Sequence, residues 1–335
     1  MNEITELPGE IKQFNNYRIG REEIKKAGIQ SPMIRSILGG LITIIPDEVH
    51  QSRILERPEL SSVAGDLISF QIALNDRLDF ALSSRKDINS IIEVSREKED
   101  RARERLNLST RILDDPAKAH WIRSAVDNLV TETEVIEKYV RENSSNLSFA
   151  DAIKYRRLVN AIASCTVTGV LLGREHLAER LQTINKDNLN WDTIYRKYEW
   201  VFGNTAKNSV EKAVIVMDRV ATAGQIDDDW FGRHIDDLLA IPTPALIAIR
   251  EANGNEEEAK QKLYQQRKIF IDDARTQGLG MLPVKAVTVG FKEMQKANRV
   301  VTRSARKHYP LLQRFGLTSK LKLPVRETAY VEGVL

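Results

Sequence analysis

The 335-residue chain is 42% hydrophobic, enough for a substantial core in one large domain or two ordinary ones, and its 29% charged residues with few glycines and prolines fit a helical protein. The net charge of +3 singles out no partner, the lone Cys165 excludes an internal disulfide and suits a reducing compartment, and the longest apolar runs, 37–45 and 167–172, are too short to span a bilayer. Met1-Asn2-Glu3 opens acidic and does not read as a targeting signal, so the expectation is a soluble, cytoplasmic protein.

Helical periodicity runs along the whole chain, and no strand alternation competes with it. An apolar helix is predicted over 32–45, broken at Gly39-Gly40. A long helix follows over 60–84, with Val63, Leu67, Phe70, Leu74 and Leu78 on one side. The segment 91–105 is intensely charged and reads as a solvated helix or connector laced with i,i+4 pairs. Asp114-Asp115-Pro116 marks a turn and a helix start, and an amphipathic helix occupies 119–141. The helix predicted over 149–181 is nearly all small or apolar from Val159 to Gly173, which places it at the centre of a bundle, with Cys165 as a packed small residue. Further helices are expected over 208–239, 242–252 and 256–277, the last two separated by the turn Asn253-Gly254-Asn255. A basic helix over 285–313 closes the series. No repeat, linker or boundary divides the chain, so one all-α domain over 1–335 is the economical reading.

Two acidic motifs carry the chemistry. The first, Asn75-Asp76-Arg77-Leu78-Asp79, sets Asp76 and Asp79 on one face of the 60–84 helix. The second runs from Gln225 to Asp237 and holds five carboxylates in eleven residues, with Asp228, Gly232 and Asp236 at i, i+4 and i+8 on one face. Carboxylates so spaced can hold Mg²⁺, which takes hard oxygen ligands and commonly shares them with a phosphate. The gap at Gly232 would let a substrate oxygen or water approach the backbone.

In motif order and helix pattern the chain resembles, from about Pro32 to Tyr309, the class I isoprenoid synthases: trans-isoprenyl diphosphate synthases and class I terpene synthases. Asn75-Asp76-Arg77-Leu78-Asp79 is similar to their DDxxD motif with Asn leading. Asp228, Gly232 and Asp236 match the spacing of the second terpene synthase motif, with Asp for Glu. Gln225-Ile226-Asp227-Asp228-Asp229 is similar to the FQxxDD of the elongating enzymes. The Tyr155–Gly173 stretch resembles the central family helix whose break helps ionise substrate. The resemblance implies a helical bundle with a central cavity and several Mg²⁺ ions held by Asp76, Asp79, Asp228, Asp229 and Asp236. It also implies a diphosphate gripped by Arg85, Lys307 and Tyr309. The substrate would be a linear prenyl diphosphate, with Asp76, Asp79, Asp228 and Asp236 as the catalytic set. The stretch matching the isopentenyl diphosphate motif, Gln30 to Arg35, keeps one arginine at most, and the Lys-Thr of the elongating enzymes reads Ile162-Ala163 here. These departures favour a terpene synthase over chain elongation by an isoprenyl diphosphate synthase. A homodimer is compatible with either. Only 6% of residues are aromatic, few for stabilising a carbocation, although Phe70, Phe80, Trp200, Phe202, Trp230 and Phe231 lie near motif regions.

The rival signal is the basic stripe Lys292, Lys296, Arg299, Arg303 and Arg306, stepping by four and three along the last helix. It supports a non-catalytic helical protein that binds nucleic acid or another anion, although no RNP, KH or zinc-finger pattern accompanies it. Histidines form no HExxH or Cys/His zinc pattern, and neither a P-loop nor a GxGxxG occurs.

Overall fold

A computed structural model describes residues 58–81, 89–172, 177, 180–181, 184, 186–203, 205–239 and 241–276. Every regular element among them is helical: α1 (Pro58–Ala81), α2 (Asn89–Arg111), α3 (Pro116–Glu142), α4 (Phe149–Leu172), α5 (Trp191–Phe202), α6 (Ser209–Leu239), α7 (Pro244–Glu251) and α8 (Glu256–Thr276), with a 3₁₀ turn at Lys186–Asn188. The predicted 32–45 and 285–313 helices lie outside the described residues, as do Arg85, Lys307, Tyr309 and the basic stripe.

The turn signals at 114–116 and 253–255 are read out as expected. Asp115 caps α3 by accepting from the Ala117 and Lys118 amides, with Pro116 in the first turn. Thr243 and Pro244 do the same for α7. Between α7 and α8 the backbone turns left-handed at Asn253 (φ 52°) and Gly254 (φ 86°), the two residue types that tolerate it best. The helix expected over 149–181 ends at Leu172, so α4 is shorter than its apolar pattern. α5 was not expected. Its start is fixed by a capping box, in which the Asn190 side chain accepts from the Thr193 amide and the Thr193 hydroxyl accepts from the Asn190 amide.

α4 is the axis of the bundle. It is buried on nearly all sides and packs against α1, α3, α5, α6 and α7. It runs unbroken from Phe149 to Leu172. At Gly169 a Cβ would meet the Trp121 ring at 2.8 Å, so the missing side chain is what lets α3 approach. α6 lies beside α4 and also touches α5, α7 and α8. On α1, Val63, Leu67, Phe70, Leu74 and Leu78 are all buried, as the pattern required. One hydrophobic cluster collects residues from all eight helices, Cys165 among them. Among the described residues, no helix is long and apolar enough to cross a membrane.

The charged helix α2 is more than a solvated connector. Arg101 and Arg103 make the expected i,i+4 pairs with Glu97 and Glu99. Its inner charges face α1, where Lys98 reaches Asp76, Arg105 reaches Asp66 and Glu99 receives Arg77. α2 therefore covers the helix that carries the first acidic motif.

Candidate functional site

The two acidic motifs meet. Asp76 and Asp79 on α1 and Asp228, Asp229 and Asp236 on α6 lie close enough to perturb one another's ionisation, and all but Asp76 feel Arg156 of α4. The helix order positions them: α4 packs on both α1 and α6, and Arg156 sits on α4 between the two motifs.

Arg156 is buried and grips Asp229 with two parallel hydrogen bonds, Nη2 to Oδ1 at 2.9 Å and Nε to Oδ2 at 3.2 Å. Its Nη1 donates to the Tyr155 hydroxyl at 3.2 Å, and that hydroxyl donates in turn to Glu137 of α3. Burial opposes the guanidinium's charge, but Asp229, Glu137 and Asp79 outweigh it and hold the group protonated. Lys98 pairs with Asp76 at 2.5 Å, and Arg141 stands 3.6 Å from the Asp79 carboxylate. Gln225 donates to Asp229 at 3.2 Å and more loosely to Asp228 at 3.4 Å.

The remaining carboxyls are poorly compensated. Burial, together with the charges of Glu137 and Asp76, pushes Asp79 up to about 8 despite Arg156 and Arg141. Burial and the neighbouring Asp229 push Asp228 up to about 7. Asp236 is only 9% exposed, and its side chain has no hydrogen-bond or ion-pair partner among the described residues. Burial and the nearby Asp229, Asp79 and Asp228 raise it well above the carboxylate range. Its carboxylate folds back over Gly232: a Cβ there would stand 3.6 Å from Oδ2. The expected gap at Gly232 is thus faced by Asp236 itself.

Among the groups named, six acids (Asp76, Asp79, Glu137, Asp228, Asp229, Asp236) face three cations (Lys98, Arg141, Arg156). A buried excess of negative charge must be met by protons or by a cation. Hard carboxylate oxygens are the donors Mg²⁺ takes, so the residues fit a divalent ion in kind and in charge. As they stand, no group of three or more His, Cys, Asp or Glu among the described residues is gathered tightly enough to hold one. Asp76 and Asp229 are held by Lys98 and Arg156, so either could join a bound ion only if its pair opened.

The sequence motifs supplied the acids but not the cations or Glu137. Arg156 left a signal that the motifs did not use: a Tyr155-Arg156-Arg157 run in a mostly buried helix is anomalous unless the arginines are paired. Lys98 gave no signal among the many charges of α2, and Glu137 and Arg141 gave none on the amphipathic helix that holds them. Of the aromatics near the motifs, Phe70, Trp200, Phe202 and Trp230 each lie under a guanidinium, of Arg103, Arg180, Arg157 and Arg233 at 4.8, 5.1, 4.6 and 4.3 Å. One face of each ring is therefore already covered. No protein-family model, curated protein or solved structure matches the chain.

Proposed function

We propose that the protein is a class I isoprenoid synthase of the terpene synthase kind, with a central cavity, ionising one linear prenyl diphosphate in the presence of Mg²⁺. The observation that carries this reading is the meeting of two acidic helices in one buried cluster with more carboxyls than cations. Asp79, Asp228 and Asp236, the least compensated carboxyls, would hold metal first, joined by Asp229 and Asp76 as their pairs open. Bound Mg²⁺ supplies charge neutralisation for the departing diphosphate. Lys98 and Arg141, beside the first motif, would donate to diphosphate oxygens, a task that the resemblance gives to Arg85, Lys307 and Tyr309. The buried α4 would keep water from the cation, as the apolar wall Ile162-Ala163 leaves no lysine for a second diphosphate. That last point favours ionisation of one substrate over chain elongation.

A specific observation favours a second reading. The chain's own Lys98, Arg141 and Arg156 already stand against three of the aspartates. A non-catalytic relative, with its metal site closed by internal pairs, would look like this. Purified protein incubated with C10, C15 and C20 prenyl diphosphates, with and without Mg²⁺ and isopentenyl diphosphate, separates the readings. A Mg²⁺-dependent hydrocarbon or alcohol, seen by gas chromatography–mass spectrometry before phosphatase treatment, is the expected result. A longer prenol found only after phosphatase establishes elongation. No product from any substrate leaves the non-catalytic reading.

A further inference from the structure

Arg156 is the cation that every aspartate of this cluster but Asp76 shares. It is bidentate to Asp229, it contacts the Tyr155 hydroxyl, and it influences Asp79, Asp228 and Asp236. Buried on the central helix with a side chain only 10% exposed, it cannot swing into water if Asp229 is taken from it. Tyr155 would still hold Nη1, but two N–H groups aimed at Asp229 would lose their acceptor. A guanidinium left so in a buried site is strongly unfavourable, and an anion that offers two acceptor oxygens side by side, a carboxylate or a phosphate, is the partner that matches its fork.

We propose that Arg156 is an exchangeable counter-ion: it holds Asp229 until a divalent cation takes that carboxylate, and then passes its paired N–H donors to the diphosphate that accompanies the cation. This rests on the reading of the cluster as a metal–diphosphate site. No covalent step is involved. One charge-assisted pair, Arg156 with Asp229, is exchanged for two, Asp229 with the metal and Arg156 with the anion. Entry of metal alone opens the first pair without forming the last, so metal and diphosphate favour each other's binding. Asp236, unpaired among the described residues, gives the cation a first foothold that costs no internal pair there.

The exchange makes Arg156 a residue whose removal has opposite effects on two ligands. Mn²⁺ binding, followed by electron paramagnetic resonance, and inorganic diphosphate binding at fixed free Mn²⁺, followed by calorimetry, read the two separately. In Arg156→Gln, Asp229 has no competitor, so Mn²⁺ alone binds about tenfold tighter, whereas diphosphate binds about tenfold weaker. Arg156→Lys keeps the charge and loses the fork; it shifts both affinities in the same opposed directions by less, and it serves if the glutamine variant fails to fold. A purely structural arginine gives parallel losses of both ligands in either variant, and that result overturns the exchange while leaving the metal site standing. Wild-type protein that binds neither Mn²⁺ nor diphosphate overturns both the exchange and the functional reading beneath it.

Discussion

Helices α4 and α6 meet across two buried ionic layers, and the layers differ in balance. In the layer nearer the start of α6, Asp218 accepts from Arg157 at 3.2 and 3.3 Å and from Arg219, and Arg219 reaches Asp273 of α8 at 2.5 Å. Among the described residues two acids meet two guanidiniums here, and burial alone lifts Asp218 against both. In the layer three turns on, Arg156 serves Asp229 while Asp228 and Asp236 remain nearly unserved. The difference teaches how a structural charge network would be told from the proposed site in the same helix pair. The first layer matches acids with guanidiniums, and the second, on the proposed reading, leaves carboxyls in search of a cation.

The largest effect should come from breaking the closed layer. Asp218→Ala leaves Arg157 and Arg219 buried against each other, and the expected loss is about 3–5 kcal/mol of unfolding free energy in a denaturant titration. The equivalent excision in the open layer should act in reverse. Asp236→Asn removes a carboxyl whose ionised form burial and three acidic neighbours disfavour, so metal-free protein should gain stability on the order of 1 kcal/mol at pH 8. It should also lose part of the stabilisation that Mg²⁺ confers in a thermal melt. Should Asp236→Asn destabilise the metal-free protein as Asp218→Ala does, the two layers are alike and the functional assignment fails.

The pH dependence sharpens the same contrast. Asp79 and Asp228, pushed up to about 8 and about 7, keep protons in the folded chain that the unfolded chain releases near pH ~4. The folded state therefore binds more protons in this window, and their contribution to stability falls as pH rises from about 4 through about 7 and 8. Each group contributes a slope of at most about 1.4 kcal/mol per pH unit. Chemical denaturation at stepped pH should show wild-type stability falling more steeply than that of Asp228→Asn, and saturating Mg²⁺ should flatten the wild-type curve. Parallel curves for the two proteins would falsify the raised Asp228.

Much of this was legible in the sequence, for identifiable reasons. The one-sided stripe from Val63 to Leu78 and the uniformly apolar 159–172 stretch are written in the helical period, and the structure buries both. The acids were found because clustered aspartates interrupt that pattern. Their partners were not, because pairing is a property of distance between helices: Lys98 meets Asp76 across 22 residues and Arg156 meets Asp229 across 73. The same holds for Asp273, which meets Arg219 of the first layer across 54 residues. α5 was missed for a different reason, since its twelve residues mix aromatic and charged side chains and only Asn190 and Thr193 announce the start.

The smallest effect tests whether the layers are independent. Between them, Asn160 donates to the Thr222 hydroxyl at 3.1 Å, the one side-chain hydrogen bond from α4 to α6 among the described residues that involves no charge. Thr222 is fully buried and Asn160 only partly so. Thr222→Val keeps the shape and removes the acceptor, while water can still reach the amide, so the expected cost is about 1 kcal/mol. If the layers act separately, that cost adds to the gain from Asp236→Asn within about 0.5 kcal/mol, and the Mg²⁺ response of the double variant matches that of Asp236→Asn alone. A larger departure, read from a double-mutant cycle of thermal melts, would mean that the closed layer sets the spacing of the open one. The balanced arginines would then tune the site from three turns away, and the division between structural and functional charge would have to be redrawn as a single network.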